Sequence, residues 1–432
     1  MIFWALKKSL KDYSFLSFRN DVLAGFIVSL LALPLSMALS IAVGLPPQHG
    51  LYTAIVAGII TPLLGGSIYQ VSGPTAAFIV ILAPIVSTHG YRGLLLVTVM
   101  AGLLLIIAGL LKVGRYARYI PYPVTTGFTT GIALVVAILS LKDFLGLRIP
   151  HLPENFFQKI TIISQHLPKL NYAEFSIGIV SFLFMLIPKR FSKFIPTSLI
   201  GILVGTLISL ALAHYGFTVD TIANRFHYTL PNGSIGYGVP PFLPSFEFFG
   251  FSKLDLFAFP SFHELQPLFI PSLVVAALAA LESILSASVA DGISGTKHNP
   301  NAELLGIGIG NILTGLASGI PATGAIARTA TNLQSGAKSP IASSLHGLFI
   351  LVYVLLLAPL ISYLPMASIS ALLLITAYRM SHIPQFIRVV KFGLIEDSRS
   401  GPEKVDHFSL LPSNKSVTCS ISRVLPSIAR EA

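Results

Sequence analysis

The chain has 432 residues, of which 53% are hydrophobic and only 10% are charged, whereas a soluble domain carries about 25% charged residues. This balance excludes an ordinary soluble protein, and a single cysteine, Cys419, excludes an internal disulfide framework and a multi-cysteine metal site. The formal net charge of +11 could suit nucleic acid, but the positive residues gather at the ends of apolar stretches. We therefore interpret them as membrane topology signals and expect no nucleic acid partner.

The N-terminal residues 1–20 mix lysines and Arg19 with aromatic residues, which predicts a short amphipathic helix at the cytoplasmic surface. Apolar stretches then recur along the chain, and most are long enough to cross about 30 Å of hydrocarbon. Continuous runs of this kind predict helices, since each helix satisfies its own backbone in lipid. We predict an all-α, polytopic membrane protein with spans near 22–43, 51–67, 74–87, 92–111, 122–141, 174–188, 196–213, 269–290, 302–320, 323–335, 341–362 and 367–387.

The distribution of positive charge predicts the orientation of these spans. If the N-terminus lies inside, the clusters that begin at Lys112, Lys189 and Arg379 all fall inside as well. The segment 215–267, rich in Pro, Gly and aromatic residues, then forms an external loop. We expect a transporter domain over residues 21–393 with both termini in the cytoplasm.

Two spans, 74–87 and 323–335, are too short to cross as ordinary helices. Each follows a break that contains Gly and Pro, "VSGP" and "GIPATG", and each follows two longer spans in its own half of the chain. Short, interrupted segments at matching positions point to a transporter's binding site. A helix that begins at mid-membrane has unpaired N–H groups and a positive dipole end, so two such ends favour a negatively charged substrate.

The residues at the two breaks suit this role. Gly73 allows a ligand to approach the backbone, and Pro74 fits a first helical turn, where a missing N–H costs nothing. Small side chains on both sides leave room for a ligand, and hydroxyl groups are available from Ser72, Thr75, Thr323 and Thr329.

Arg328, in "ATGAIARTATN", is a cation within a hydrophobic region. A lone charge in hydrocarbon costs from about 2.5 kcal/mol upward, so Arg328 should face a cavity or a partner. It either adds positive potential to an anion site or forms a structural ion pair with Glu282. Glu282 is itself an intramembrane acid that could carry a proton or coordinate sodium, and Ser286, four residues further on, could supply a second oxygen.

The remaining motifs do not indicate a functional site. "GIGIGN" at 306–311 lacks the third glycine of a dinucleotide loop, so we interpret Gly306 and Gly310 as a small-residue helix contact. We find no nucleophile–base pair or metal cluster, and expect neither an enzyme nor a bound cofactor beyond a coupling proton or sodium ion.

Several long motifs resemble the SulP family of anion transporters, and more narrowly its bacterial C4-dicarboxylate branch. They are "PLSMALSIAVGLPPQHGLYTAIVAGIITPLLGGS", "VSGPTAAF", "ALESILSASVADGISGTKHNPNAELLGIGIGN" and "GAIARTATN", and the resemblance runs from about residue 15 to 393. It implies an inverted-repeat fold of seven plus seven segments, a core and a gate domain, homodimers, and facing half-helices that bind the anion. Carried over by position, the substrate residues are Ser72, Gly73, Pro74, Thr75, Ala76, Ala327, Arg328 and Thr329, and Glu282 matches the family's acidic position.

The resemblance implies secondary active transport of succinate, fumarate or aspartate, coupled to a proton or sodium gradient, in a bacterial cytoplasmic membrane. Sulfate or bicarbonate transport by the same fold remains an alternative, whereas a nucleobase carrier would leave Arg328 unexplained. The family also has two further segments and a STAS domain, but hydrophobicity collapses after Gly393. We expect residues 394–432 to be a disordered tail without a STAS domain, which makes a truncated, non-transporting remnant a further alternative.

Overall fold

The computed structural model describes residues 2–11, 13–119, 122–149, 153, 155–187, 196–230, 233–244 and 260–381. Its α-helices in chain order are α1 (Trp4–Ser9), α2 (Phe15–Val43), α3 (Pro47–Leu64), α4 (Ile79–Leu110), α5 (Tyr122–Phe144), α6 (Phe156–His166), α7 (Tyr172–Met185), α8 (Thr197–His214), α9 (Ile222–Arg225), α10 (Phe262–Leu265), α11 (Phe269–Ser294), α12 (Pro300–Leu316), α13 (Ile326–Gln334), α14 (Pro340–Ile361) and α15 (Met366–Met380). The strands are β1 (Ser72–Gly73), β2 (His227–Thr229), β3 (Ile235–Tyr237) and β4 (Thr323–Gly324), and short 3-10 turns cover Ala76–Phe78, Val113–Tyr119 and Leu167–Lys169.

The long helices are those of a multi-pass membrane protein, as predicted. Within the described ranges, six helical segments are long and apolar enough to cross a membrane, and α7 and α15 are shorter apolar helices. The crossing segments are Phe15–Val43, Ala76–Leu110, Thr125–Phe144, Thr197–His214, Phe269–Ser294 and Pro340–Ile361.

Most predicted spans match one helix each, and the differences have local causes. The spans 74–87 and 92–111 are two helices that follow one another without a loop and meet at a kink at Gly90, whose φ of 66° and ψ of −170° are not helical. Helix α2 begins at Phe15 because Ser14 Oγ accepts from the Ser17 amide at 3.2 Å, so residues 15–20 belong to this helix. The predicted tail 394–432 lies outside the described residues.

The membrane helices form two bundles. Helices α2, α3, α4, α11, α12, α13 and α14 pack mainly against one another, and we call them the core bundle. Helices α5, α7, α8 and α15 pack mainly against one another as the gate bundle.

The predicted small-residue contact of α12 is confirmed. A Cβ on Gly306 would lie 2.7 Å from Gly65 Cα, and one on Gly308 would lie 2.8 Å from the Gly102 carbonyl oxygen. A Cβ on Gly310 would likewise lie too close to Thr61 Oγ1. These glycines allow α12 to approach α3 and α4 closely at the centre of the core bundle.

Strands β1 and β4 join the two halves of the core bundle. They pair antiparallel, with Ser72 opposite Gly324 and Gly73 opposite Thr323. Each strand follows two long helices and leads into another helix, and the antiparallel pairing places the two halves in opposite directions. This arrangement is the one that an inverted repeat produces.

Candidate functional site

The segment that leads into β1 is held by a carboxylate. Glu303 of α12 is 2% exposed, and its Oε2 accepts from the backbone amides of Gly66 at 2.8 Å and Ser67 at 2.9 Å. Its Oε1 accepts from Gln70 Nε2 at 2.7 Å. Extended backbone buried in a membrane must find such partners, because there is no water to supply them.

The segment that leads into β4 is held in a parallel way by two side chains. Asn311 Oδ1 accepts from the Ala322 amide at 2.8 Å, and Asn311 Nδ2 donates to the Ala322 carbonyl at 2.9 Å. Thr53 Oγ1 accepts from the Ile320 amide at 2.7 Å and donates to the Ile320 carbonyl at 2.9 Å. Side chains of α12 therefore hold both segments, and Thr53 of α3 also holds the second.

The first half of the junction consists of β1 and the helix start that follows it. Ser72 is fully buried, and its Oγ has no hydrogen-bond partner among the described residues. Thr75 occupies the N-cap of the 3-10 turn Ala76–Phe78, which continues directly into α4. Pro74 thus lies one residue before the cap, so the expectation that it fits the first helical turn is wrong. The helix begins later because Pro74 still belongs to the non-helical segment that follows β1.

Arg328 reaches from α13 across to this first half. It is 1% exposed, and its Nη2 donates to the Pro74 carbonyl. A Cβ on Gly73 would lie 2.6 Å from Arg328 Nη1, so a larger residue here would displace the guanidinium. The Nε and Nη1 atoms have no hydrogen-bond partner among the described residues.

Glu282 and Ser286 of α11 contact opposite halves of the junction. Glu282 Oε2 accepts from Thr75 Oγ1 at 2.9 Å, and Ser286 Oγ shares a hydrogen bond with Thr329 Oγ1 at 3.0 Å. The ion pairs between described residues do not include Arg328 with Glu282. The two opposite charges therefore approach the same place from different sides without direct contact.

The remaining predicted residues are divided between buried and exposed positions. Thr329 is buried and also accepts from the Val71 amide at 3.1 Å, and Ala76 is buried beside Thr75. Ala327 is exposed on α13, next to the buried Arg328. The structure thus gathers Ser72, Gly73, Pro74, Thr75, Arg328, Thr329, Glu282 and Ser286 at one junction.

Sequence reasoning missed three residues that hold the segments leading into β1 and β4, namely Gln70, Glu303 and Asn311. One signal was available, because Glu303 is an acid within an otherwise apolar stretch, and such acids are expected to have a specific role. No comparable signal identifies Asn311, whose backbone partner lies eleven residues further on.

The sequence places the chain in a known protein family. The sequence model of the sulfate permease family matches residues 18–396, which is most of the chain. The chain belongs to the sulfate permease family.

Within the described ranges, no three His, Cys, Asp or Glu side chains form a group that could hold a metal ion.

Individual relatives bear names of sulfate and bicarbonate transporters. The chain is 39% identical over 371 residues to YvdB of Bacillus subtilis (strain 168), whose name assigns it provisionally to sulfate transport. It is 31% identical over 378 residues to the bicarbonate transporter BicA of Synechocystis. The aligned parts cover 86% and 83% of this chain but only 66% and 60% of those proteins.

Solved structures show the same fold. The transmembrane domain of a cyanobacterial bicarbonate transporter BicA matches with a TM-score of 0.74 at 25% identity, covering 97% of both chains. SLC26A9 also matches with a TM-score of 0.74, at 19% identity, and covers 87% of this chain. The inverted-repeat transporter fold predicted from the sequence is confirmed.

Proposed function

We propose that this protein binds a small inorganic oxyanion, of the sulfate or bicarbonate type, between β1 and α13 and carries it across the membrane by secondary transport. The proposal is supported by the family and by the names of the relatives, which include sulfate and bicarbonate transporters. We further propose that the protein resides in a bacterial cytoplasmic membrane with both termini inside, and that it forms homodimers.

The observation that carries the proposal is the environment of Arg328. A buried cation in a membrane protein is costly unless an anion or a dipole compensates it. One of its nitrogens is engaged by the Pro74 carbonyl, and Nε and Nη1 remain as donors among the described residues. Nε and Nη1 can each donate a hydrogen bond to an oxyanion, and such charge-assisted bonds are strong.

The choice of substrate departs from the main expectation drawn from the sequence. The relatives reported above bear the names of sulfate and bicarbonate transporters, which favours the alternative over a C4-dicarboxylate. The chemistry of the junction agrees, because the residues assigned to it include a single cation, Arg328. A C4-dicarboxylate carries two separated carboxylates, whereas sulfate and bicarbonate concentrate their charge in one small group.

Glu282 is the residue we propose for coupling, with either a proton or sodium as the driving ion. Its carboxylate accepts from Thr75, the residue at the helix start in the first half of the site, so protonation or sodium binding at Glu282 would change that contact. Ser286 joins the second half through Thr329 and offers a further oxygen near the same helix face. A single ion at Glu282 would therefore act directly on residues that hold the substrate.

The test is uptake of labelled sulfate, bicarbonate and succinate into proteoliposomes, with and without pH or sodium gradients. We expect sulfate or bicarbonate to accumulate, and Arg328→Gln to weaken its binding roughly tenfold to a hundredfold, as loss of hydrogen bonds to a charged group predicts. Arg92→Gln is the matched control, because Arg92 forms an exposed ion pair with Glu264 and should change little.

Each assignment has its own contradicting outcome. Unchanged anion affinity in Arg328→Gln would remove Arg328 from the site. A Glu282→Gln variant that still concentrates the anion as the wild type does would remove Glu282 from coupling. Accumulation of succinate alone would restore the C4-dicarboxylate assignment, and no uptake of any of these anions would favour the non-transporting alternative.

A further inference from the structure

A second feature with an excess of positive charge is a pocket beside the start of α7. Its volume is about 330 Å³, within the size range of small-ligand sites. None of its lining residues belongs to the junction between β1 and β4. The lining consists of Gly146, Leu147, Arg148, His166, Lys169, Asn171 and Thr218.

The backbone around the pocket is held in a defined shape. Gly146 has a φ of +63°, which ends α5 in a left-handed turn, and the Leu147 amide donates to the Lys142 carbonyl at 2.8 Å. Asn171 caps α7, where its Oδ1 accepts from the Ala173 amide at 3.1 Å. His166 bonds the Ile162 carbonyl through Nδ1 at 2.9 Å. The pocket is therefore a built concavity between these turns.

The charge of the lining is positive. Arg148 and Lys169 are cations, and none of the described lining residues is a carboxylate. None of the ion pairs between described residues involves Arg148 or Lys169.

The nearby acids are engaged with other partners. Asp143 pairs with Arg225 at 2.7 Å, and Asp220 pairs with the same guanidinium. Burial alone would lower the pKa of Arg225, but these two carboxylates outweigh it and the pKa is raised. Glu174 accepts from Asn171 Nδ2 at 3.1 Å and from the Asp220 amide at 3.3 Å. Asp143 and Asp220 are thus engaged by Arg225, and Glu174 by hydrogen bonds, and none of the three forms an ion pair with Arg148 or Lys169.

Exposed apolar side chains follow the same stretch of sequence. Phe157 and Ile160 of α6 are 75% and 43% exposed, and Leu167 and Tyr172 are 46% and 80% exposed. Apolar and aromatic residues next to cations are typical of a segment at the membrane surface, where the rings enter the interface and the cations meet lipid headgroups. This pattern favours an anion that is presented by the membrane itself.

We propose that this pocket binds a phosphate oxyanion, and that the source of the phosphate is the headgroup of an anionic phospholipid. Arg148 and Lys169 contact the phosphate oxygens from two sides, and His166 closes the third. The exposed residues of α6 accompany the acyl chains. Inorganic phosphate in solution presents the same chemistry, so the test distinguishes the two sources.

The experiment uses the full chain, purified in neutral detergent, and titrates it separately with short-chain phosphatidylglycerol, short-chain phosphatidylcholine and inorganic phosphate by calorimetry. The test variant is Arg148→Gln combined with Lys169→Gln. Lys159→Gln is the control, because Lys159 lies on α6 but does not line the pocket. Arg328 is intact in all three proteins, so any phosphate bound at the other site cancels in the comparison. Equal melting temperatures in phosphatidylcholine vesicles verify that the variants fold.

We expect phosphatidylglycerol to bind the wild type and the control equally, and to bind the double variant on the order of thirtyfold more weakly. Phosphatidylcholine should bind weakly to all three. If inorganic phosphate binds as tightly as phosphatidylglycerol and is lost in the double variant, the oxyanion site stands and its source is the solution. The proposal is overturned if the double variant binds both ligands like the wild type, or if Lys159→Gln loses as much as the double variant.

Discussion

Glu303→Ala is expected both to destabilise the segment that leads into β1 and to weaken anion binding. The carboxylate accepts from the amides of Gly66 and Ser67 and from the side chain of Gln70, all within 2.9 Å. Without it, two backbone N–H groups remain buried with no acceptor. Each buried, unsatisfied group costs about 1–3 kcal/mol, so the backbone alone accounts for about 2–6 kcal/mol in the free energy of unfolding.

Glu303→Gln makes the test sharper. Its amide oxygen can still accept from both backbone amides, and its NH₂ group then faces Gln70. The Gln70 Oε1 atom has no partner among the described residues, so Gln70 can turn its amide and accept from the new donor. The expected loss is below about 1.5 kcal/mol, the usual net value of one hydrogen bond.

Both variants are measured by unfolding in mixed micelles with increasing detergent denaturant, and by sulfate or bicarbonate affinity. Glu264→Gln serves as the control, since it removes an exposed acid whose ion pair contributes less than about 1 kcal/mol. If the Glu303→Ala variant unfolds at the wild-type denaturant concentration, the carboxylate does not hold the segment that leads into β1. A glutamine variant as unstable as the alanine variant would instead show that the negative charge itself is required.

Two further predictions concern separate parts of the chain. Gly73→Ala places a Cβ 2.6 Å from Arg328 Nη1. Overpacking costs about 1–3 kcal/mol, so anion affinity should fall about tenfold to a hundredfold. Gly127→Ala is the control, because there is open space around Gly127 and affinity should be unchanged. Wild-type affinity in Gly73→Ala would mean that the guanidinium is not confined there. Burial, together with the hydrogen bond to Asp21, raises the pKa of Tyr13 to about 12. Its stabilising effect should be complete below pH 10 and disappear as the pH rises through 12. The absorbance difference between wild type and Tyr13→Phe measures this ionisation, and a midpoint near pH 10 would contradict it.

The membrane spans and the two short helices could be predicted because they depend on local sequence. Apolar length identifies a crossing, and the breaks before Pro74 and Thr323 identify helices that begin inside the membrane. The helix boundaries moved by a few residues where a cap such as Ser14 decides them.

The partners within the site could not be predicted, because they depend on packing between distant segments. Sequence reasoning offered Glu282 as the partner of Arg328, but Arg328 bonds the Pro74 carbonyl and Glu282 bonds Thr75. Both contacts join residues more than two hundred positions apart. The pairing of β1 with β4, which brings Pro74 within reach of α13, is what decides between the two arrangements.

The pairing of β1 with β4 also constrains how the protein could open. Backbone hydrogen bonds join the two strands, and Arg328 ties α13 to Pro74, so both halves of the proposed anion site are joined to one another. The two halves of the proposed site cannot separate along the boundary between the repeats without breaking these bonds. Helix α5 of the other bundle contacts the Ala76–Phe78 turn directly. If the proposed transport takes place, the bound anion would move together with the core bundle, and access would change at the contact between that bundle and α5.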